Sequence, residues 1–69
     1  MTPITLRLQQ LRYRRGLSQA ELARRSGVSQ ATISRIEAGK TKGVDLVTLD
    51  RLAHALGISP RSLLAPSSR

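Results

Sequence analysis

The sequence predicts an all-α fold, a compact bundle of five short helices. Three observations carry this reading. Aliphatic residues recur three and four positions apart, as at Leu49, Leu52, Ala53 and Leu56, which is the spacing of one buried helix face. Serine, threonine or aspartate precedes these runs, and Gly16, Gly27, Gly39 and Gly57 follow them, the start and stop signals of helices. No stretch reads as a strand, for which apolar and polar residues would have to alternate.

The first helix is expected from Ile4 to Arg15, with Ile4, Leu8 and Leu11 on one apolar face. Thr2 is its expected N-cap, Pro3 its first residue and Gly16 its left-handed stop. Ser18 opens the second helix. Glu21 follows three residues later, so S-Q-A-E is a capping box. Leu22 and Ala23 face inward, and Ala23 is small enough for a close crossing of two helices. The break falls at Ser26-Gly27-Val28, with Val28 packed into the turn. Ser29 caps a third helix over Gln30 to Ala38, whose inward pair is Ile33 and Ile36, and Gly39 ends it. A basic loop, Lys40 to Val44, leads to Asp45, the expected N-cap of a fourth helix that runs to Leu56. Gly57 ends that helix. Ser59-Pro60 opens a short fifth helix carrying Leu63 and Leu64. Residues 1–65 form one domain and residues 66–69 a frayed tail. There is no repeat and no internal linker.

Composition limits what such a domain does. Its 69 residues bury a modest core with no cysteine to staple it. The absence of cysteine fits a reducing cytoplasm, the expected location. No apolar run resembles a signal peptide or a membrane span. Twelve Lys and Arg against four Asp and Glu give a net charge of +8, which calls for an acidic partner, nucleic acid first. A membrane surface would need a free bulky apolar face; Phe and Trp are absent, and the aliphatic residues are needed inside. An enzyme is not expected. His54 is the lone histidine, no paired acids accompany it, and Asp50 one turn earlier makes it one half of a solvated i,i+4 pair. No catalytic residue, metal, cofactor or small-molecule ligand is expected.

Helices two and three, joined by a tight glycine turn, can place the second of the pair in a DNA major groove. The third helix turns Gln30, Ala31, Ser34 and Arg35 away from its Ile33/Ile36 face. Glutamine can bond bidentately to adenine and arginine to guanine, and an alanine methyl can touch thymine. The first residues of such a helix reach deepest, so the expected base contacts are Ser29, Gln30, Ala31, Ser34 and Arg35. Ser18 and Gln19 sit at the start of helix two, where free N–H groups favour a phosphate. Lys40 and Lys42, just beyond helix three, are the other expected phosphate contacts, with Arg12, Arg14 and Arg15 adding charge.

Over nearly its whole length the chain resembles the five-helix repressor family of the phage 434 repressor and Cro, also called the xenobiotic-response-element group of helix-turn-helix regulators. The strings that carry the resemblance are LRYRRGLSQAELA, GVSQATISRIEAGKTK and LDRLAHALGIS, and Gln19, Ala23, Gly27, Ile33 and Ile36 meet the family's turn pattern. The resemblance implies a repressor-like transcriptional regulator that binds double-stranded DNA as a homodimer and reads bases from the positions above. It implies backbone contacts from Gln19, Lys40 and Lys42 and a structural ion pair between Arg12 and Glu37. It also implies a two-fold contact through Leu46, Val47, Pro60, Arg61 and Leu64. One departure is the loop KGVD before helix four, which differs in length from that of the 434 repressor; Asp45 would repel phosphate there, so capping is its role and minor-groove contact by the loop does not carry over. Leu6 and Tyr13 form a lesser candidate patch. The alternative from another class is an antitoxin-like module that uses the same fold to dock a protein; a long tail with apolar anchors would favour it, and this tail is short and polar.

Overall fold

The computed structural model describes residues 4–40 and 43–64, with side chains from Arg7 to Lys40 and from Gly43 to Leu63. The elements are α1 (Ile4–Arg14), α2 (Gln19–Ser26), α3 (Gln30–Glu37), α4 (Leu46–Leu56) and α5 (Pro60–Leu64). The expected Thr2–Pro3 cap, Lys42 and the tail lie outside the described residues, as do the side chains of Ile4, Leu6 and Leu64.

The caps explain where the helices begin and end. Ser18 Oγ accepts the Glu21 N–H (3.1 Å) while the Ser18 N–H donates to Glu21 Oε1 (2.9 Å), a complete capping box. Ser29 Oγ accepts from the Thr32 N–H (3.1 Å), and Asp45 Oδ1 accepts from the Thr48 N–H (2.8 Å). Two helices are one residue shorter at the C-terminus than their sequence pattern suggests. α1 stops at Arg14, because the chain folds into its closing turn with Gly16 N–H on Tyr13 C=O (2.9 Å) and Leu17 N–H on Arg12 C=O (3.1 Å). α3 stops at Glu37, with Ala38 as its C-cap.

The turn between α2 and α3 rests on Gly27, whose φ of 76° lies in the left-handed region that residues with a Cβ avoid. The Gly27 N–H still reaches Ala23 C=O (2.9 Å). The next N–H, on Val28, is taken by the buried Ser26 Oγ (3.1 Å), so Ser26 both ends α2 and satisfies the turn.

The core collects one face from every helix. Leu8, Leu17, Leu22, Val28, Ile33, Ile36, Leu49, Leu52, Ala53, Leu56 and Leu63 are buried, with Leu11 and Ala23 packed against them. Leu17, which lies in the α1–α2 loop and outside any helical stripe, joins this core. α2 packs against α3 and α4, α1 against α3 and α5, and α4 against α5. α3 is thereby backed by α1 and α2, and its opposite face is left to solvent. Arg7 Nε, donating to Ser62 C=O (2.6 Å), ties α1 to α5. No described helix is long and apolar enough to cross a membrane. The expected Asp50–His54 pair does not form: both side chains are exposed, and neither makes an ion pair among the described residues.

Candidate nucleic-acid interface

The exposed surface of α3 follows from its register. Ile33 and Ile36 are buried, so Gln30, Ala31, Ser34 and Arg35, which lie round the opposite side, are exposed. Ser29 is exposed as well, but its hydroxyl is engaged: it accepts from the Thr32 N–H and donates to Thr32 Oγ1 (2.9 Å). One acceptor lone pair remains on that hydroxyl. Thr32, absent from the sequence-derived set, is exposed beside it. With Arg35 it lines a cleft of about 360 Å³ between α3 and the start of α4, shared with Ile36, Gly43, Val44, Asp45 and Thr48.

The start of α2 is held by the Ser18–Glu21 box, which leaves the Gln19 and Ala20 N–H groups without intrahelical partners. Ser18 is exposed and Gln19 half-buried. Gln19 is not simply a surface amide: its Nε2 donates to Glu37 Oε1 (2.9 Å). Glu37 also receives Arg12 Nε on Oε2 (2.7 Å) and Arg12 Nη2 on Oε1 (2.8 Å), a bidentate pair with side-chain exposures of 7% for Arg12 and 3% for Glu37. Arg12 Nη1 reaches on to Leu17 C=O (2.9 Å), and the guanidinium carbon lies 4.7 Å from the Tyr13 ring centre. Burial alone would raise the Glu37 carboxyl, but the hydrogen bonds from Arg12 and Gln19 and the arginine charge outweigh it, holding the group below its ordinary range. The same contact raises Arg12. Nothing local in the sequence signals the Gln19–Glu37 contact, which spans 18 positions.

Electrostatics follow from where the acids are used. Glu21 and Asp45 are caps, and both are pulled low by the groups they bond: Glu21 by Ser18, Asp45 by Thr48. Glu37 is spent against Arg12. Arg14, Arg15, Arg24, Arg25, Arg35, Lys40, Arg51 and Arg61 all stay exposed. With Glu37 buried against Arg12 and twelve Lys and Arg against four acids in all, the outer field is positive.

Away from α3, Leu46 (79% exposed), Val47 (61%) and Pro60 line one shallow groove with Asp50 and Arg51. Arg61 is exposed at the start of α5. The structure thus gathers Leu46, Val47 and Pro60 from two helices. Tyr13 is 63% exposed, with its ring centre 4.7 Å from the Arg12 guanidinium carbon.

The chain is similar to known proteins in sequence and fold. A helix-turn-helix family model matches residues 8–63. The chain is 42% identical over 57 residues to the uncharacterized HTH-type transcriptional regulator y4dJ of Sinorhizobium fredii, a match covering 83% of this chain and 73% of that protein. It is 40% identical over 65 residues to the uncharacterized HTH-type transcriptional regulator RghRB of Bacillus subtilis, covering 94% of this chain and 47% of that one, so it spans about half that relative's length. Its fold is similar to that of SinR, a master regulator for biofilm formation solved in complex with DNA (TM-score 0.87, 31% identity, 90% of this chain and 98% of that one). It is also similar to the restriction-modification controller protein C.AhdI from Aeromonas hydrophila (TM-score 0.82, 42% identity, 87% of this chain and 89% of that one).

Proposed function

The chain belongs to the helix-turn-helix family, and from that premise we propose that it is a transcriptional regulator that binds double-stranded DNA in a sequence-specific manner, as a homodimer with one α3 in each of two major grooves. The observation that carries this reading is α3 itself, capped by Ser29, anchored through Ile33 and Ile36, and presenting Gln30, Ala31, Ser34 and Arg35 on an exposed face of a molecule with charge +8. Gln30 and Arg35 supply bidentate readout and Ala31 an apolar contact. Ser29 contributes as an acceptor, for example toward an exocyclic amino group, since its proton is taken by Thr32. Ser18, Gln19 and the lysines of the α3–α4 loop, Lys40 and Lys42, hold the phosphates and fix the register. The names of y4dJ and RghRB, and the DNA in the SinR structure, support the assignment.

The groove lined by Leu46, Val47 and Pro60 is the surface on which a second copy would sit, and Arg61 and Leu64, which follow Pro60 in the sequence of α5, complete the proposed contact set. Single exposed aliphatic residues are ordinary, but two largely exposed aliphatics beside a proline in one groove favour burial on association. As a repressor such a dimer would act by occupying a promoter; as an activator it would offer a surface to polymerase.

Selection from a random DNA duplex pool, followed by affinity against salt for the winners, tests the reading. The expected result is a two-fold symmetric site with half-sites about 34 Å apart, one helical turn. Salt-sensitive binding with no enriched motif would replace it with a basic DNA-coating protein, and no binding at moderate salt would replace it with a protein-docking module. Val47→Asp is expected to abolish the preference for the symmetric site while leaving weak binding to a half-site.

A further inference from the structure

We propose that Glu37 is a positioning residue for DNA binding: through the Gln19 amide, it orients a phosphate-facing N–H at the start of α2. This rests on the DNA-binding reading above and adds a role for a residue that otherwise serves only an ion pair.

The Gln19 head group has two donors on Nε2 and an acceptor on Oε1, and a free glutamine at a helix start turns either edge outward. A phosphate accepts and never donates at neutral pH, so only the Nε2 edge binds it. Glu37, ionised, is also acceptor-only, and its Oε1 takes one Nε2 proton at 2.9 Å. This fixes which atom of the amide is nitrogen and leaves the second Nε2 proton free. Gln19 is itself the first residue of α2, whose Gln19 and Ala20 N–H groups have no intrahelical partner, and it follows the exposed Ser18. A carboxylate so close to a phosphate would ordinarily repel it. Here the bidentate Arg12 guanidinium offsets the charge, so Glu37 orients the amide while the cluster stays neutral. The glutamate's own position is set by α1 through Arg12, which is anchored in turn on Leu17 C=O. Three helices thus converge on one amide proton. The Gln19 side chain also has less freedom to lose on binding than an unsupported one, which favours affinity.

The test is a scan of methylphosphonate substitutions along the selected duplex, each removing one phosphate charge, against wild type, Gln19→Ala, Glu37→Gln and Glu37→Asp. Circular dichroism at the assay temperature establishes that each variant is folded. Glu37→Asp keeps the charge opposite Arg12 but withdraws the carboxylate by one methylene, so the test survives if Glu37→Gln does not fold. One phosphate per half-site is expected to cost wild type about tenfold in affinity when neutralised, the size of one charge-assisted hydrogen bond. The same neutralisation is expected to cost Gln19→Ala and both Glu37 variants less than about threefold, since only the backbone N–H groups at the start of α2 then remain on that phosphate, with other phosphates unaffected. A purely structural role for Glu37 would weaken binding at all phosphates alike. A full tenfold effect in Glu37→Asp and Glu37→Gln would overturn the proposal while leaving the DNA-binding reading intact. So would a scan in which no phosphate distinguishes wild type from Gln19→Ala. Failure of wild type to bind any duplex would overturn both.

Discussion

At the scale of single residues, the interface divides into side chains that read and side chains that hold. Arg35 is exposed on α3 and presents a planar fork suited to guanine, whereas Lys40 sits beyond the helix as a point charge. Arg35→Ala is expected to cost about 1–3 kcal/mol and to relax preference at one base pair in each half-site. Lys40→Ala is expected to weaken binding to all sequences alike and to flatten the salt dependence by about one phosphate's worth. Affinities measured across a small panel of site variants at several salt concentrations separate the two; a change of base preference in Lys40→Ala would reverse their assignment. The sequence indicated which α3 side chains face outward, because Ile33 and Ile36 fix the helix phase. It did not indicate that the Ser29 proton is committed to Thr32, since a hydroxyl's partner depends on its rotamer and on its neighbour's.

At the scale of elements, most boundaries follow from local chemistry. Ser18, Ser29 and Asp45 each bond the N–H three residues on, and each opens the helix that its position in the sequence suggests. The α2–α3 turn is the element on which the geometry of the interface depends. A Cβ at Gly27 would lie 3.2 Å from Arg51 Nη1 and would sit on a backbone at φ 76°. The arginine tip can move aside cheaply, but the backbone cannot. Gly27→Ala is therefore expected to lower stability by about 1–2 kcal/mol, the cost of the left-handed conformation, read as a lower urea midpoint at unchanged slope. An unaltered midpoint would mean that the turn does not need this backbone conformation. Gly16 offers a control, because nothing lies near its Cβ position and only the backbone cost applies.

At the scale of the whole molecule, the Arg12–Glu37 pair joins α1 to α3, and Gln19 brings in α2. Removing one partner leaves a buried charge, so Glu37→Ala is expected to destabilise the fold by about 3–5 kcal/mol. A domain of this size has roughly 3–10 kcal/mol in total, so the loss would be visible as a large drop in Tm; an unchanged melting curve would remove the pair from the account of stability. The same group predicts a pH dependence. Its folded pKa is depressed below the ordinary 4.5, so its contribution is present above that value and lost as pH falls through the lower folded one. Glu21 and Asp45, also depressed, act in the same direction. Wild-type Tm is expected to fall on acidification below about pH 4.5, and to fall less in Glu37→Gln; equal slopes would show that the caps alone carry the acid sensitivity.

The sequence by itself determined the helical class, the phase of each helix and the helix-turn-helix unit. Periodicity, caps and left-handed glycines act over three to five residues, and such short-range physics is written in consecutive letters. The basic balance was equally plain, since net charge needs no fold. Tertiary structure alone decided the rest. It buried Leu17, which belongs to no helical stripe, and left Asp50 and His54 unpaired despite their spacing. It set Leu46, Val47 and Pro60 along one groove. It also brought Gln19 onto Glu37 across 18 positions, a contact that exists only because α1, α2 and α3 close round the same core and set side chains distant in sequence within hydrogen-bonding reach.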